Sequence, residues 1–447
     1  MKAKEVIILI LIILVGIGLY YLEDWHLTFK NDWSTASFPF KFSDQSYEFE
    51  ENRSLEPADI LEVINSHGQV QIEGGAGQDI ILTLKKTIWD KNENQAGQLA
   101  AELKLQTKRE GSKLILSTNR DDFRRKNFSV DFILKVPAST VIKVSNSFGQ
   151  VRINGVREVE VNNHHGQVDL LDIGGQVKAS NSFEKMSLLD IEGACQITTS
   201  HSPVSLVRIA GPVNLEASFE EIELTDLKNT LKVNSRHSPV KALRVAGPIE
   251  LESSYEPVYV SDSGSAVIRG HHSEIEIDNL NGQLEIVSSY EPINLKRIKG
   301  DITIKGKGTE IDLSSVQAGK IVIETSYEDI KLESFTGSLD LNLAHGDASL
   351  SPSDLKDNIS VNLQYGDLSF FWPAGQRARL EARSKGGTID WRLSFPPDEN
   401  SSNGISLVRA FQSAPAFPEI KLSATYGDIE IIQQEAAVSA TADEARL

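Results

Sequence analysis

The sequence predicts an all-β fold: a parallel β-solenoid (β-helix) of about 18-residue rungs, preceded by a single transmembrane helix. Three observations carry this. An aromatic residue or a histidine recurs at Phe148, His165, Phe183, His201, Phe219, His237, Tyr255, His272 and Tyr290, in steps of 17 or 18 residues. Gly308 then stands in the ring's place, and Tyr327, His345 and Tyr365 continue the series at slightly longer steps. Around each ring runs a recurring phrase, as in SFGQVRI, SHSPVSL and SYEPVYV, and such self-similarity at a short fixed period marks stacked structural units. The third observation is an uncharged, almost wholly apolar run, VIILILIILVGIGLYYL, at residues 6–22.

Counting from each ring as zero, positions +3 and +5 are apolar (Val151 and Ile153, Val204 and Leu206, Ile293 and Leu295), and +8 usually is (Ile191, Ile209, Leu227). Glycine favours +10 (Gly193, Gly211, Gly247, Gly282, Gly300, Gly337). Two further apolar sites stand six and four residues before the next ring (Val213 and Leu215, Leu231 and Val233). Apolar residues two apart are the strand period. Each unit therefore reads as two short strands on either side of a turn, where glycine is expected because it accepts φ > 0. One such unit cannot bury enough apolar surface to offset its ordering entropy, so units must stack and share an interior. Stacked parallel strands advance about 4.8 Å per rung.

In chain order, residues 1–24 read as an N-terminal signal anchor. Lys2 and Lys4 precede the apolar run, Glu23 and Asp24 follow it, and Tyr20, Tyr21 and Trp25 suit the interface. No small-residue cleavage site follows. The expected arrangement is a single-pass membrane protein with a cytoplasmic N-terminus and the bulk of the chain periplasmic or extracellular. Residues 25–58 are a stalk and first strand. Residues 59–136 form a β-rich capping block containing an outlying copy of the phrase, SHGQVQI at Ser66–Ile72, and one short helix over 91–104. The basic segment Arg120–Lys126 reads as a solvated loop. The repeat domain spans 137–432; KGGTIDW at Lys385–Trp391 and an irregular loop near 395–418 interrupt it, and ATYGDIEII at Ala424–Ile432 supplies a last rung. Residues 433–447 are an expected disordered tail.

The 45 Lys and Arg against 63 Asp and Glu, a net charge of −18 with no basic stripe, exclude nucleic acid as a partner. The single cysteine, Cys195, falls at an inward offset and reads as a buried, inert thiol. Histidines two units apart (His165, His201, His237, His272) would lie about 9.6 Å apart if one unit is one rung, too far to share a metal. A 36-residue coil, suggested by SHSPVSLVRIAGPVNLE and RHSPVKALRVAGPIELE, would make them neighbours. The shared apolar offsets of adjacent units favour the 18-residue rung, and with it a stacked ring ladder that packs a corner. No catalytic, cofactor-binding or metal residues are assigned. Glu220, Glu221, Glu223, Glu274, Glu276 and Asp278 align on an outer face, where acids serve solubility. Pro203, Pro239, Pro257 and Pro292 fall just before strands, a tolerated place.

The VDFILKVPAST lead-in, the repeated phrase and the N-terminal apolar segment resemble the bacterial putative-adhesin family of β-strand-repeat proteins, over residues 60–432. That resemblance implies an extracytoplasmic β-solenoid and brings no catalytic residues. The chain departs from the family where Gly-Gln, Ser-Pro or Glu-Pro replaces Gly-Asp. The expectation is a membrane-anchored, non-catalytic adhesion or interaction module without a cofactor, whose ring ladder meets glycan, envelope polymer or protein. A self-assembling envelope scaffold is the alternative, and a polysaccharide-acting enzyme a more distant one.

Overall fold

A computed structural model describes residues 45–412 and 416–434. The expected anchor at 6–22 and most of the expected tail lie outside the described residues. Among the described residues no helix is long and apolar enough to cross a membrane.

A typical repeat unit contributes two six-residue strands, such as Val204–Ile209 and Val213–Ser218, and in two later units the pair runs on as one strand, Ile311–Thr325 and Ile330–His345. Each strand pairs in parallel, in register, with its copy one unit later: Val204 faces Ile222, and Val213 faces Leu231. One rung is thus one 18-residue unit, and the 36-residue coil is not adopted. The two strands of every rung belong to two walls that enclose a single continuous core, in which Val204, Leu206, Ile209, Val213 and Leu215 are all buried.

The apolar offsets +3, +5 and +8 break the strand period at one point, and the backbone shows why. Position +7 is left-handed in rung after rung, and apart from Gly155 (φ 67°) these residues are not glycine: Asp190 (φ 58°), Arg208 (55°), Asp226 (59°), Arg244 (54°). That kink turns +8 back toward the core, so +5 and +8 both point inward.

Glycine at +10 serves for a different reason from the one expected. Gly300 and Gly337 do have φ of 140° and 103°. Gly193 and Gly211 do not; instead a Cβ at Gly193 would lie 2.2 Å from the carbonyl carbon of Gly175, and one at Gly211 would lie 2.2 Å from the oxygen of Gly193. The rungs touch there, and only a hydrogen fits.

Stacking order and chain order differ at both ends. The early copy of the phrase, with strands Ile60–Ile64 and Val70–Gly75, lies directly against the first regular rung, Val141–Phe148 and Val151–Val156. The later strands Lys113–Thr118 and Phe128–Pro137 pack outside it. Antiparallel strands finish this end: Leu105–Glu110 on one wall, Ile80–Trp89 and then Ser46–Leu55 on the other. The helix forms over Glu93–Glu102 within the expected span; Asn92 caps it by accepting from the amides of Asn94 and Gln95. Its buried Ala96, Leu99 and Ala100 cover the end strands. Arg120–Phe123 is a 3-10 turn, and the Arg120 guanidinium lies 4.3 Å from the centre of the Phe128 ring.

The far end mirrors this. Strands Glu419–Thr425 and Ile429–Gln433, the last in sequence among the described residues, are not last in the stack. They sit on Ile359–Tyr365 and Leu368–Trp372, and the earlier strands Arg379–Lys385 and Ile389–Arg392 stack outside them. The KGGTIDW segment is therefore a displaced rung rather than an interruption. Within the irregular loop, Ile405–Ala410 and Asp398–Ser402 add two antiparallel strands that close the end. Gln433, expected in the tail, still belongs to a strand.

Candidate interaction ridge

The predicted ring residues converge at the other corner of the rung. Their main chain explains the outward direction. Phe183, Phe219, Tyr255, Tyr290 and Tyr327 have φ of 75–78°, and His201, His237 and His272 have φ of 52–55°. At Phe148, His165, His345 and Tyr365 the following glycine takes the positive φ instead: Gly149 (125°), Gly166 (141°), Gly346 (126°) and Gly366 (141°). Either way the chain reverses tightly and the side chain stands out from the wall.

The rings stack face to face. Phe148 and His165 have centroids 4.8 Å apart, His201 and Phe219 4.4 Å, and Phe219 and His237 5.6 Å, with interplanar angles of 6–15°. The series extends beyond the residues predicted. His67 stacks on Phe148 at 4.6 Å, and Tyr426 on Tyr365 at 5.4 Å. Both lie in copies of the phrase outside the regular spacing, SHGQ and TYGD, and that phrase was the signal that could have found them. The expected ladder that packs a corner is corrected in one respect: nothing among the described residues covers it. Phe183 is 55% exposed, Tyr255 56% and Tyr327 60%. The rings cover one another's faces and present their edges to solvent.

Beneath the corner, polar side chains satisfy the turn. Asn163 Nδ2 donates to the Gly166 carbonyl at 2.7 Å, and Asn181 Nδ2 to the Glu184 carbonyl at 2.6 Å. Beside it, at +2, the C-terminal rungs carry an aspartate column that the sequence reading did not single out. The amide of Asp347 donates to Asp329 Oδ1, that of Asp367 to Asp347 Oδ1, and that of Asp428 to Asp367 Oδ1, each at 2.8 Å. Thr388 completes the column with its amide and hydroxyl on Asp428 Oδ1, which hold that carboxyl below its ordinary range. In the middle rungs Pro203, Pro239, Pro257 and Pro292 occupy +2, so there is no amide to satisfy. The column lines an open groove of about 740 Å³, with Glu310, Asp390, Glu430, Lys331 and Arg392.

At +7 a second, charged series runs along the wall. Arg208 grips Asp190 with two bonds of 2.6 and 2.7 Å, Arg244 grips Asp226 at 2.6 and 3.1 Å, and Arg297 pairs with Asp278, which stands one place earlier at +6. The hydrogen bond from Arg208 lowers the Asp190 carboxyl from its usual range, and that from Arg244 does the same for Asp226. Of the six acids expected on an outer face, Glu220, Glu221, Glu223 and Glu274 are exposed, whereas Glu276 and Asp278 are partly buried and Asp278 is occupied by Arg297.

Cys195 is 2% exposed, and burial pushes its thiol up to about 12. Alternate rings separate the histidines throughout the regular array. Among the described residues, no group of three or more His, Cys, Asp or Glu is arranged to hold a metal ion.

Residues 60–432 match the sequence profile of the Toastrack DUF4097 family. The chain belongs to that family. No curated protein matches it. Among solved structures, this Toastrack chain is similar to a putative cell adhesion protein from Clostridium sporogenes, at 9% identity over 87% of this chain and 100% of that one, with a TM-score of 0.17. It is also similar to a putative adhesin from Bacteroides fragilis, at 9% identity over 87% of this chain and 97% of that one, TM-score 0.16. A third, a putative lipid binding protein from Parabacteroides distasonis, shares 15% identity over 65% of this chain and 95% of that one, TM-score 0.18. Likeness this slight carries neither fold nor function; the family assignment rests on the sequence match.

Proposed function

We propose that this Toastrack protein is a membrane-anchored, extracytoplasmic adhesion module without catalytic activity. The observation that carries this reading is the uncovered ring ridge. A row of aromatic edges and imidazoles along a rigid rod is a contact surface, and apolar surface of that kind is otherwise kept off a protein's exterior. The apolar segment at 6–22 supports the anchor and the lysines before it support the orientation. The partner is envelope polymer, glycan or protein, met along the ridge.

The carboxylates in the open groove do not favour hydrolysis. Asp329, Asp347, Asp367 and Asp428 each spend an oxygen on a backbone amide, and Arg392 engages Asp390 and Glu430. A general acid needs the opposite, a carboxyl pushed upward by a dry site.

Scaffolding by end-to-end stacking meets an obstacle at the outermost strands. Ser46–Leu55, Leu105–Glu110 and Asp398–Ser402 carry exposed charges such as Glu48, Lys108, Arg109 and Asp398, which blunt edge pairing.

The test is co-sedimentation of the full-length protein with an isolated envelope fraction. A triple variant, Tyr255→Ser, Phe219→Ser and Phe183→Ser, should lose binding while retaining its β-sheet circular dichroism. Unchanged binding by the folded triple variant would end the adhesion reading.

A further inference from the structure

In a ladder whose rings cover each other's faces, an open face exists only at its two ends, His67 and Tyr426, and where the ladder breaks. It breaks at Gly308. Stacked contacts run from His67 to Tyr290 and resume from Tyr327 to Tyr426, and no ring stands between Tyr290 and Tyr327. Gly308 occupies the intervening rung: the Tyr290 amide donates to Lys307, and the Gly308 amide to Ser326. A Cβ at Gly308 would already touch the Tyr290 ring, at 3.4 Å.

The missing member is a histidine by two signs. The ladder alternates, with His201, His237 and His272 before the gap and His345 after it, so rung 308 falls on a histidine turn. Its φ of 61° lies nearer the 52–55° of those histidines than the 75–78° of the Phe and Tyr rungs. Two rungs separate the tyrosines by about 9.6 Å. One flat group inserted midway would lie about 4.8 Å from each, the spacing the ladder itself keeps.

We propose that this vacancy is a receptor for the guanidinium of an arginine presented by a partner protein. The proposal rests on the interaction-module reading and names the partner chemistry of one point on its ridge. A guanidinium is planar like the absent imidazole and is attracted to tyrosine faces. Charge complementarity selects the cation: Glu291, Glu310, Glu328 and Asp329 follow the three rungs at the slot, and together with the acids of the adjoining groove they outnumber the cations Lys307, Lys331 and Arg392. Glu310 and Asp329 also line the acidic groove beside it, so a basic segment entering the slot would continue along matching charge.

The test titrates the full-length protein with acetyl-Gly-Gly-Arg-Gly-Gly-amide, read by tyrosine fluorescence and calorimetry. Peptides with lysine or citrulline in place of arginine separate charge from planarity. The arginine peptide should bind saturably, and both controls should bind roughly tenfold more weakly, the size of a desolvated cation–π contact. Gly308→His should complete the ladder and abolish binding without loss of stability, because His201, His237 and His272 already hold histidine at nearly that backbone angle. Tyr327→Leu, which opens the slot on one side, should weaken the arginine peptide even if Gly308→His folds poorly. Equal binding of all three peptides, or arginine binding undiminished in both variants, would overturn the proposal. So would a neutral oligosaccharide that quenches these tyrosines where the arginine peptide does not, or a self-association that Gly308→His abolishes. Envelope binding by the Gly308→His variant separates the two ideas: it persists if only the slot is wrong or blocked, and its absence in wild type would fault the ridge alone.

Discussion

The two corners of each rung solve the same problem, reversing the chain within a 4.8 Å layer, in opposite ways. At the ring corner a bulky side chain sits on a left-handed backbone and leans outward, as at Phe219 with φ of 77°. At the glycine corner the Cβ direction runs along the stack into the rung before, and the clash distance at Gly211 is 2.2 Å. At rungs such as Phe219 the ring residue has space and stores backbone strain; at Gly193 and Gly211 the glycine corner has no positive φ and no space. Substitutions should therefore hurt the two corners for different reasons and by different amounts.

The largest effect is expected where both corners share a dependence, the interior between them. Val213→Asp places an unpaired carboxylate among buried aliphatics and should cost more than about 4 kcal/mol, enough to prevent cooperative folding. A melting temperature like wild type would remove the common core from under the comparison.

Next in size, Gly211→Val should destabilise by about 1–3 kcal/mol or more in urea titration, since two rungs must separate to admit it. Gly77→Ala is the control: nothing lies within 4 Å of its added methyl, and its midpoint should stay within about 0.5 kcal/mol of wild type. Equal costs at the two glycines would mean that close approach is not what the corner demands.

At the ring corner the order of substitutions should invert. Phe219→Ser loses two stacked neighbours at 4.4 and 5.6 Å and keeps the left-handed strain, for a cost of about 1 kcal/mol. Phe219→Gly loses the same stacking but relieves roughly 1 kcal/mol of that strain, so it should be the milder change. Glycine milder than serine at 219, and alanine or valine harmful at 211, is the signature of the contrast. Arg208→Ala should leave the melting temperature unmoved, because Arg208 and Asp190 meet in full solvent.

How much of this could be read from the chain follows from the same physics. The interior was legible because burial imposes the same residue type at +3, +5 and +8 in every rung; Val204, Leu206 and Ile209 sit where those offsets put them. The strands' parallel direction followed from it. The left-handed kink at +7 was not legible, since Asp, Arg and Asn all accept it and no one residue type marks it. Nor was the swapped stacking order at the ends. Pairing of Ile359–Tyr365 with Glu419–Thr425 across the intervening segment is a long-range choice that local pattern does not encode. In the candidate site, the ring spacing revealed twelve members, while His67 and Tyr426 escaped because their rungs are displaced in sequence. That the rings lie uncovered depended on what does not pack over them, which no offset reports.

The smallest effect at neutral pH, and the finest probe of the glycine corner, is at Cys195. It begins the strand that leaves Gly193, and one rung on either side its place is taken by Val177 and Val213. Cys195→Val should therefore fold and melt like wild type at pH 7. The difference appears in alkali. Burial raises the folded thiol to about 12 against 9.0 for an exposed one. Between those values the unfolded chain releases a proton that the folded chain keeps, so this group's stabilisation is complete below pH 9 and falls as pH rises, by roughly 1.4 kcal/mol per unit. Wild type should lose stability more steeply than Cys195→Val across that window. A thiol reagent should label native Cys195 only at the rate of local opening. Parallel alkaline limbs in the two proteins, or labelling of the native chain as fast as of the unfolded one, would show that the glycine corner gives way on its own, and its tight packing would then be no firmer than the open corner opposite.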